Sequence, residues 1–316
     1  MKRICPHCGS KHVVKNGRKD GIQRLLSKDG RSTFSSSTGT IMASSKLPAS
    51  KVLEMIECEI EGLPLKETGY RADVSETACF NFRQRLYAMA SIQLENIQLH
   101  GQTEVDSTYA KINLSGTKPE NMPRLSKKRG RKDPVIGEHD ALRGLSHHKV
   151  CIAAAIDEYD NILYRVSGLG KESFEKYEQF RDHFTDVKTI ISDEDNSISA
   201  FARTHAKKQD TVPSGGHTTK SGNSLGDVNQ LHQTLKDLSR SKHGVSTRHL
   251  PGYLNWISYL KRKKYTVERE KLAEVIFKDL YETEGTVLRD EICKTEQPVS
   301  LYEAYHEYHY GIFKDA

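Results

Sequence analysis

The sequence predicts an α/β protein whose mixed sheet is flanked by helices and preceded by two smaller modules. Three observations carry that expectation. Strand-like runs at residues 103–114, 149–157 and 162–167 precede a helical stretch, an apolar strand at 187–191 and further helices, the order of an α/β domain with a mixed sheet. Residues 49–97 instead carry helical periodicity, with Val52, Leu53, Ile56 and Ile60 on one stripe. The first 48 residues hold too few large apolar side chains for an ordinary core, so they read as metal-held or loosely folded. At 316 residues the chain has room for two or three units. The expected boundaries are a basic arm at 1–45, a helical domain at 46–99, an α/β domain at 100–262 and a C-terminal helical extension at 263–316.

Composition narrows the class. No apolar run reaches the roughly 18 residues of a membrane span, and the N-terminal residues lack a signal-peptide core. A cytoplasmic protein without a membrane partner is therefore expected. Cys58, Cys79, Cys151 and Cys293 are scattered through apolar or mixed contexts and read as reduced thiols. The formal charge of +6 is unevenly spread: residues 1–51 hold 11 Lys or Arg against only Asp20 and Asp29. Residues 264–316 lean the other way, with 12 Asp or Glu against 7 Lys or Arg. A basic head suits a polyanionic partner such as nucleic acid, although many basic faces are merely solvated.

The elements follow in order. Cys5 and Cys8 form a C-P-x-C knuckle, followed by a basic stretch and, after a Ser/Thr-rich segment, a hinge at Lys46-Leu47-Pro48. The helix carrying the Val52 stripe ends at Gly62. A short helix, a turn through 69–73 and a second helix N-capped by Ser75 then read as a helix-turn-helix, with Arg83 and Arg85 placed to meet DNA phosphate. Two short helices joined by a turn also occur in any α domain. The two strands at 149–157 and 162–167 are joined by a turn at Glu158-Tyr159-Asp160-Asn161. An amphipathic helix is expected from Ser173 through Phe184, another at 197–206, and two more from about Asp227 and Thr247.

Two aspartates of the α/β domain share one topological situation. Asp106 interrupts the strand E-V-D-S-T-Y, and Asp193 stands just past the strand 187–191, where sites gather in α/β sheets. In the helical segment D-V-N-Q-L-H-Q-T-L-K, Asn229, His232 and Lys236 fall at i, i+3 and i+7, on one face. Cleaving and joining phosphodiesters uses metal ions about 3.5–4 Å apart, and Mg²⁺ (or Mn²⁺) prefers carboxylate and other oxygen ligands. Asp106, Asp193 and Asn229 would supply them, with His232 as a rival third ligand and Lys236 on DNA phosphate. The plainer alternative is that each aspartate only caps its strand, His232 is a surface histidine and Lys236 is solvated.

An ordered set of pieces resembles bacterial insertion-sequence transposases of the DDE superfamily. They are C-P-H-C-G-S at 5, T-G-T at 38, S-K-L-P at 45, E-V-D-S-T-Y at 104, K-V-C-I-A-A-A-I-D at 149, I-S-D at 191, V-N-Q-L-H at 228 and G-V-S-T-R-H-L-P-G-Y-L at 244. The resemblance covers about residues 1–262 and implies a zinc ribbon, a helix-turn-helix domain and an RNase H-like core. It also implies an Asp, Asp, Glu triad often followed by a Lys seven residues on. That pattern falls on Asp106, Asp193, Asn229 and Lys236, an Asp-Asp-Asn-Lys variant. Where the family carries a second C-x-x-C, Ser27 and Gly30 stand here. A structural zinc wants four ligands, and thiolates are far better than a hydroxyl. Cys5 and Cys8 are thus left as a vestigial zinc pair, Zn²⁺ is not expected to bind stably, and a weakly ordered basic arm is expected.

Residues 124–132 carry six Lys or Arg between the first two strands. Lys127, Lys128, Arg129, Arg131 and Lys132 read as a DNA-contacting loop, its Arg-Gly-Arg core resembling readers of narrow minor grooves. Residues 266–281 read as an exposed helix, and Tyr302, Tyr305 and Tyr308 as a packing stripe. The resulting expectation is a transposase that binds double-stranded DNA, both element ends and target, as a homo-oligomer in the nucleoid. The alternative is a catalytically impaired or domesticated copy that binds DNA without cutting it.

Overall fold

The computed structural model describes residues 4–19, 22–115 and 149–300. In chain order the strands and helices are β1 (Val13–Lys19), β2 (Ile22–Ser27), β3 (Thr33–Phe34), α1 (Ala49–Ile60), α2 (Leu65–Ala72) and α3 (Glu76–Gln93). Then come β4 (His100–Lys111), β5 (Lys149–Asp157), β6 (Ile162–Leu169), α4 (Phe174–Glu178), β7 (Asp186–Ser192), α5 (Asn196–His205) and β8 (Lys208–Thr211). The series closes with α6 (Gly226–Ser241), α7 (Leu250–Thr266), α8 (Leu272–Glu282) and α9 (Arg289–Cys293). The chain divides into two compact units, one of residues 1–95 with 259–294, the other of residues 96–258 with 295–316.

In the first unit β1, β2 and β3 form an antiparallel three-stranded sheet in that order. Its small core is Cys5, Leu25 and Phe34, with Val13 packed against it. The expected weakly ordered arm is therefore an ordered ribbon. Helices α1, α2 and α3 follow, and the turn between the last two is made by Asp73 in the left-handed region (φ 49°). The Ser75 hydroxyl accepts from the Ala78 N–H at 3.2 Å, capping α3 as its sequence predicts. Residues 266–281 differ from the exposed helix expected of them. α7 runs to Thr266, and α8 buries Leu272, Ile276 and Leu280, spaced by four, against α1 and α3. That apolar stripe ties the segment to the helical domain, so residues 259–294 are not a separate extension.

The second unit is built on a five-stranded sheet of order β6-β5-β4-β7-β8. β4, β5 and β6 are antiparallel neighbours, whereas β7 runs parallel to β4 and β8 parallel to β7. β5 is buried along nearly its whole length, as a central strand covered on both faces must be. Its core is completed by Val228, Leu231 and Leu235 of α6 and by Leu250, Leu254 and Ile257 of α7. The β5–β6 turn falls at 158–161 as expected, with Asp157 accepting from the N–H groups of Tyr159 and Asn161 at 2.9 and 2.8 Å. The helix expected from Ser173 through Phe184 is shorter: α4 ends at Glu178 and a 3₁₀ turn covers Arg181–His183. That tighter turn buries Phe184 edge-on against Phe201 of α5, ring centres 5.0 Å apart, while His183 Nδ1 meets the Ile97 carbonyl. Among the described residues no helix is long and apolar enough to cross a membrane.

Candidate active site in the mixed sheet

The period of two along β4 decides which side chains reach the site. Thr103 and Val105 are buried on one face, so Glu104 and Asp106 project from the other. Asp106 sits opposite Ala154 of β5, a neighbour too small to cover it. The next strand on the other side, β7, runs parallel, and Asp193 follows its last residue, Ser192. Asp193 Oδ1 accepts the Asp195 N–H at 3.0 Å, and Asp195 in turn caps α5 through the Ser197 N–H at 2.7 Å. One tight turn thus fixes both carboxylates where the strand ends.

α6 is positioned by a residue the sequence reading did not single out. The Glu104 carboxylate accepts the Val228 N–H at 2.9 Å, satisfying an orphan donor in the first turn of the helix. The next residue is Asn229, which together with Asp193, Glu194 and Asp195 lines a cleft of about 620 Å³. Two residues before Asp106, on the same face of an E-V-D strand, was the available signal for Glu104. Asp106 does not line that cleft; its connection to the pair is electrostatic. Burial raises its carboxyl to about 7, and the negative charges of Asp193 and Asp195 push the same way.

Asn229 and His232 share a helix but not a surroundings. Asn229 is exposed, whereas His232 is 6% exposed and turns its Nδ1 to Asp106 Oδ2 at 3.5 Å. Burial lowers the imidazole to about 4, with the nearby Lys236 charge acting in the same direction. The ring is therefore neutral at pH 7, and its contact with Asp106 is that of a dipole rather than an ion pair. His232 Nε2 and the Tyr164 hydroxyl are buried without a hydrogen-bond partner, and the two rings lie 6.1 Å apart. Lys236 is exposed on the same helix. A further acid, Glu172, is raised to about 7 by burial and then by the charges of Asp195 and Asp106. Among the described residues no three His, Cys, Asp or Glu side chains converge as a metal cage.

Arg83 and Arg85 are corrections to the expected DNA contacts. The buried stripe of α3 includes Phe82, Arg83, Leu86 and Tyr87, so Arg83 points inward at 4% exposure. Its Nε donates to Glu59 at 2.8 Å and its Nη2 to the Leu63 carbonyl at 3.0 Å, while the Tyr87 hydroxyl donates to the other Glu59 oxygen at 2.7 Å. Arg85 is half-buried and donates to the carbonyls of Ile41 and Ala43. A guanidinium inside the domain needs these partners, and the periodicity that buries it is shared with its apolar neighbours. Lys127, Lys128, Arg129, Arg131 and Lys132 lie outside the described residues, as do Tyr302, Tyr305 and Tyr308.

No known protein-family profile matches the chain. Its sequence is 27% identical over 113 residues to an uncharacterized protein in transposable element ISH50 of Halobacterium salinarum. The match takes in 35% of this chain and 38% of that protein, so the chain spans well under half the length of that relative. The structure also aligns with the crystal structure of a pre-cleavage Mos1 transpososome over 75% of this chain and 79% of the other, at 12% identity. The TM-score there is 0.26, too low to carry an argument about fold. The chain is thus distantly similar to a protein of a transposable element.

Proposed function

We propose that this chain is a DDE-type transposase that binds the terminal inverted repeats of its own insertion sequence, hydrolyses the strand ends and uses the freed 3′-OH to attack target DNA. The observation that supports it best is the placement of Asp106 in the central strand with Asp193 at the end of the adjacent parallel strand. The sheet order, counted as third, second, first, fourth and fifth strand with only the second reversed, supports the RNase H-like core that the resemblance implies. Similarity to a transposable-element protein points the same way.

The donor set suits Mg²⁺ or Mn²⁺. Asp106 is a carboxyl held near 7 by burial and by two neighbouring aspartates, an excess of negative charge that a cation would relieve. Asp106, Asp193 and the Asn229 side-chain oxygen would hold the ions. When bound, such a pair clamps the attacking and leaving oxygens of a phosphodiester. Glu104 anchors the start of α6 and so presents Asn229; His232 backs Asp106 as a positioning residue rather than a third ligand; Lys236 takes a DNA phosphate. Arg83 and Arg85 are engaged internally, so they are not the DNA contacts of the first unit, and the ribbon is the basic surface proposed in their place. β1 is an exposed edge strand carrying Lys15, Arg18 and Lys19, flanked by exposed Lys11, Lys28 and Arg31. The assembly on DNA would be a homo-oligomer.

A second reading, DNA binding without cleavage, is favoured by the neutral Asn229 at the third position. Purified protein with labelled element ends and Mg²⁺ or Mn²⁺ separates the two. Strand cleavage and transfer that disappear in Asp106→Ala and Asp193→Ala are expected. Activity that survives either substitution overturns the site, and DNA that binds but is never cut with either metal selects the second reading.

A further inference from the structure

Resemblance to zinc-ribbon transposases implies a structural zinc at Cys5 and Cys8, a role that the donor set of this ribbon does not fit. The knuckle itself is formed: the Cys5 N–H donates to Ser10 at 2.8 Å and the Gly9 N–H to Cys5 at 2.9 Å. Opposite it, the β2–β3 turn brings Ser27 and Gly30 to the two places where further thiolates would stand. Ser27 Oγ shares a hydrogen bond with Cys8 Sγ at 3.2 Å and accepts the Gly30 N–H, also at 3.2 Å. A Cβ on Gly30 would lie 2.6 Å from Cys8 Sγ and 3.1 Å from its Cβ. Four thiolates around zinc, each about 2.3 Å from the ion, leave no ligand's Cβ that close to another's sulfur. The Cys8 thiol has therefore moved into the space of the fourth ligand.

Nearby histidines do not replace the missing pair. His12 Nδ1 is 3.2 Å from Asp29 Oδ1, with its side chain 79% exposed, and His7 is exposed within the knuckle. Cys5 is 1% exposed and packs with Leu25 and Phe34, while its thiol also lies in hydrogen-bonding contact with that of Cys8. Ser27 is fully buried with its hydroxyl satisfied by Cys8 and Gly30. All four corners of the site are occupied or closed by the protein itself.

We infer that this ribbon keeps its fold without zinc, its metal replaced by the Cys8–Ser27–Gly30 contact and the Cys5 core, with Cys5, Cys8, Ser27 and Gly30 remaining the four corners of a latent tetrathiolate site. The exposed Lys15, Arg18 and Lys19 of β1 are thereby presented without any metal. The inference concerns the ribbon alone and stands whether or not the chain cuts DNA.

The test uses the full chain, with metal content measured by mass spectrometry and amide exchange followed at Leu25 and Leu26. Wild type is expected to carry less than about 0.1 zinc per chain, with exchange unchanged by a zinc chelator. Ser27→Cys with Gly30→Cys forces the Cys8 thiol, 2.6 Å from the new Cβ, to turn out of the fourth-ligand position, and the variant is then expected to take up one zinc per chain, slowing exchange in β2 until chelator is added. Should that variant fail to fold, Ser27→Ala serves instead: exchange at Leu25 and Leu26 should rise roughly tenfold, since Cys8 and the Gly30 N–H lose their partner. Stoichiometric zinc in wild type that Cys8→Ser removes would overturn the inference. So would a folded double-cysteine variant that takes no zinc, or a Ser27→Ala variant with unchanged exchange.

Discussion

Replacing Glu59 tests how the helical domain is held together and where its arginines point. Glu59 and Arg83 are 3% and 4% exposed and joined at 2.8 Å, with the Tyr87 hydroxyl on the second carboxylate oxygen at 2.7 Å. Glu59→Ala leaves a guanidinium buried without its counter-charge, which costs about 3–5 kcal/mol. It also strips the Tyr87 hydroxyl of its acceptor, a further penalty of about 1–3 kcal/mol. Domains of this kind hold only about 5–15 kcal/mol in total, so the first unit should be close to unfolding at 37 °C. The chain's single tryptophan, Trp256, is on the part of α7 that belongs to the other unit, so its fluorescence is not a direct reporter of α1 and α3. Urea titration followed by far-UV circular dichroism, with amide exchange in α1 and α3, reads it directly. Replacing both partners by apolar residues, Glu59→Leu with Arg83→Met, should recover most of the loss. A Glu59→Ala cost under about 1 kcal/mol would refute the buried pair. So would an Arg83→Ala variant that loses DNA affinity at unchanged stability.

Other consequences concern the sheet site. Asp106 has a folded pKa near 7, raised from the ordinary carboxylate value, so the metal-free protein binds its proton more tightly folded than unfolded. Its contribution is present at low pH and lost as pH rises from about 4 through about 7. Asp106→Asn should therefore stabilise chelator-treated protein at pH 8 by on the order of 4 kcal/mol, and hardly at all at pH 4. Asn229→Glu adds a negative ligand and should lower the Mg²⁺ concentration needed for half-maximal cleavage by about tenfold, whereas Asn229→Ala should raise it. Lys236→Ala should weaken end binding about equally for all sequences and reduce the slope of log K against log salt by about one. His232→Ala should impair Mn²⁺ binding more than His232→Gln, whose amide can still face Asp106; equal effects would reduce His232 to a packing residue.

Much of this was legible locally, and the exceptions share a cause. The order of strands and helices in the second unit followed from period-two and apolar runs, and Asp106 and Asp193 stood out because both sit on or just past strands of one sheet with Asn229 as a matched third residue. The 3.6-residue repeat of α3 could not say that Arg83 lies on its buried side, because a charged residue reads as exposed until its partner is known. That partner, Glu59, is 24 residues away on another helix. The stripe of α8 was equally regular, but only packing on α1 and α3 turned it from a solvated helix into part of the core.

The sequence by itself determined that this is an α/β chain with a basic N-terminal module, that this module carries a single C-x-x-C pair, Cys5 and Cys8, and that two aspartates sit on or beside strands. Tertiary structure decided which side chains meet. It set β7 parallel beside β4, so that Asp193 stands near Asp106; it used Glu104 to fix the start of α6; and it closed the ribbon on Cys8 and Ser27. Those outcomes depend on contacts between residues 19 to 124 positions apart. Local periodicity carries no information about such distances; they are set when the elements pack and every buried polar group finds its partner.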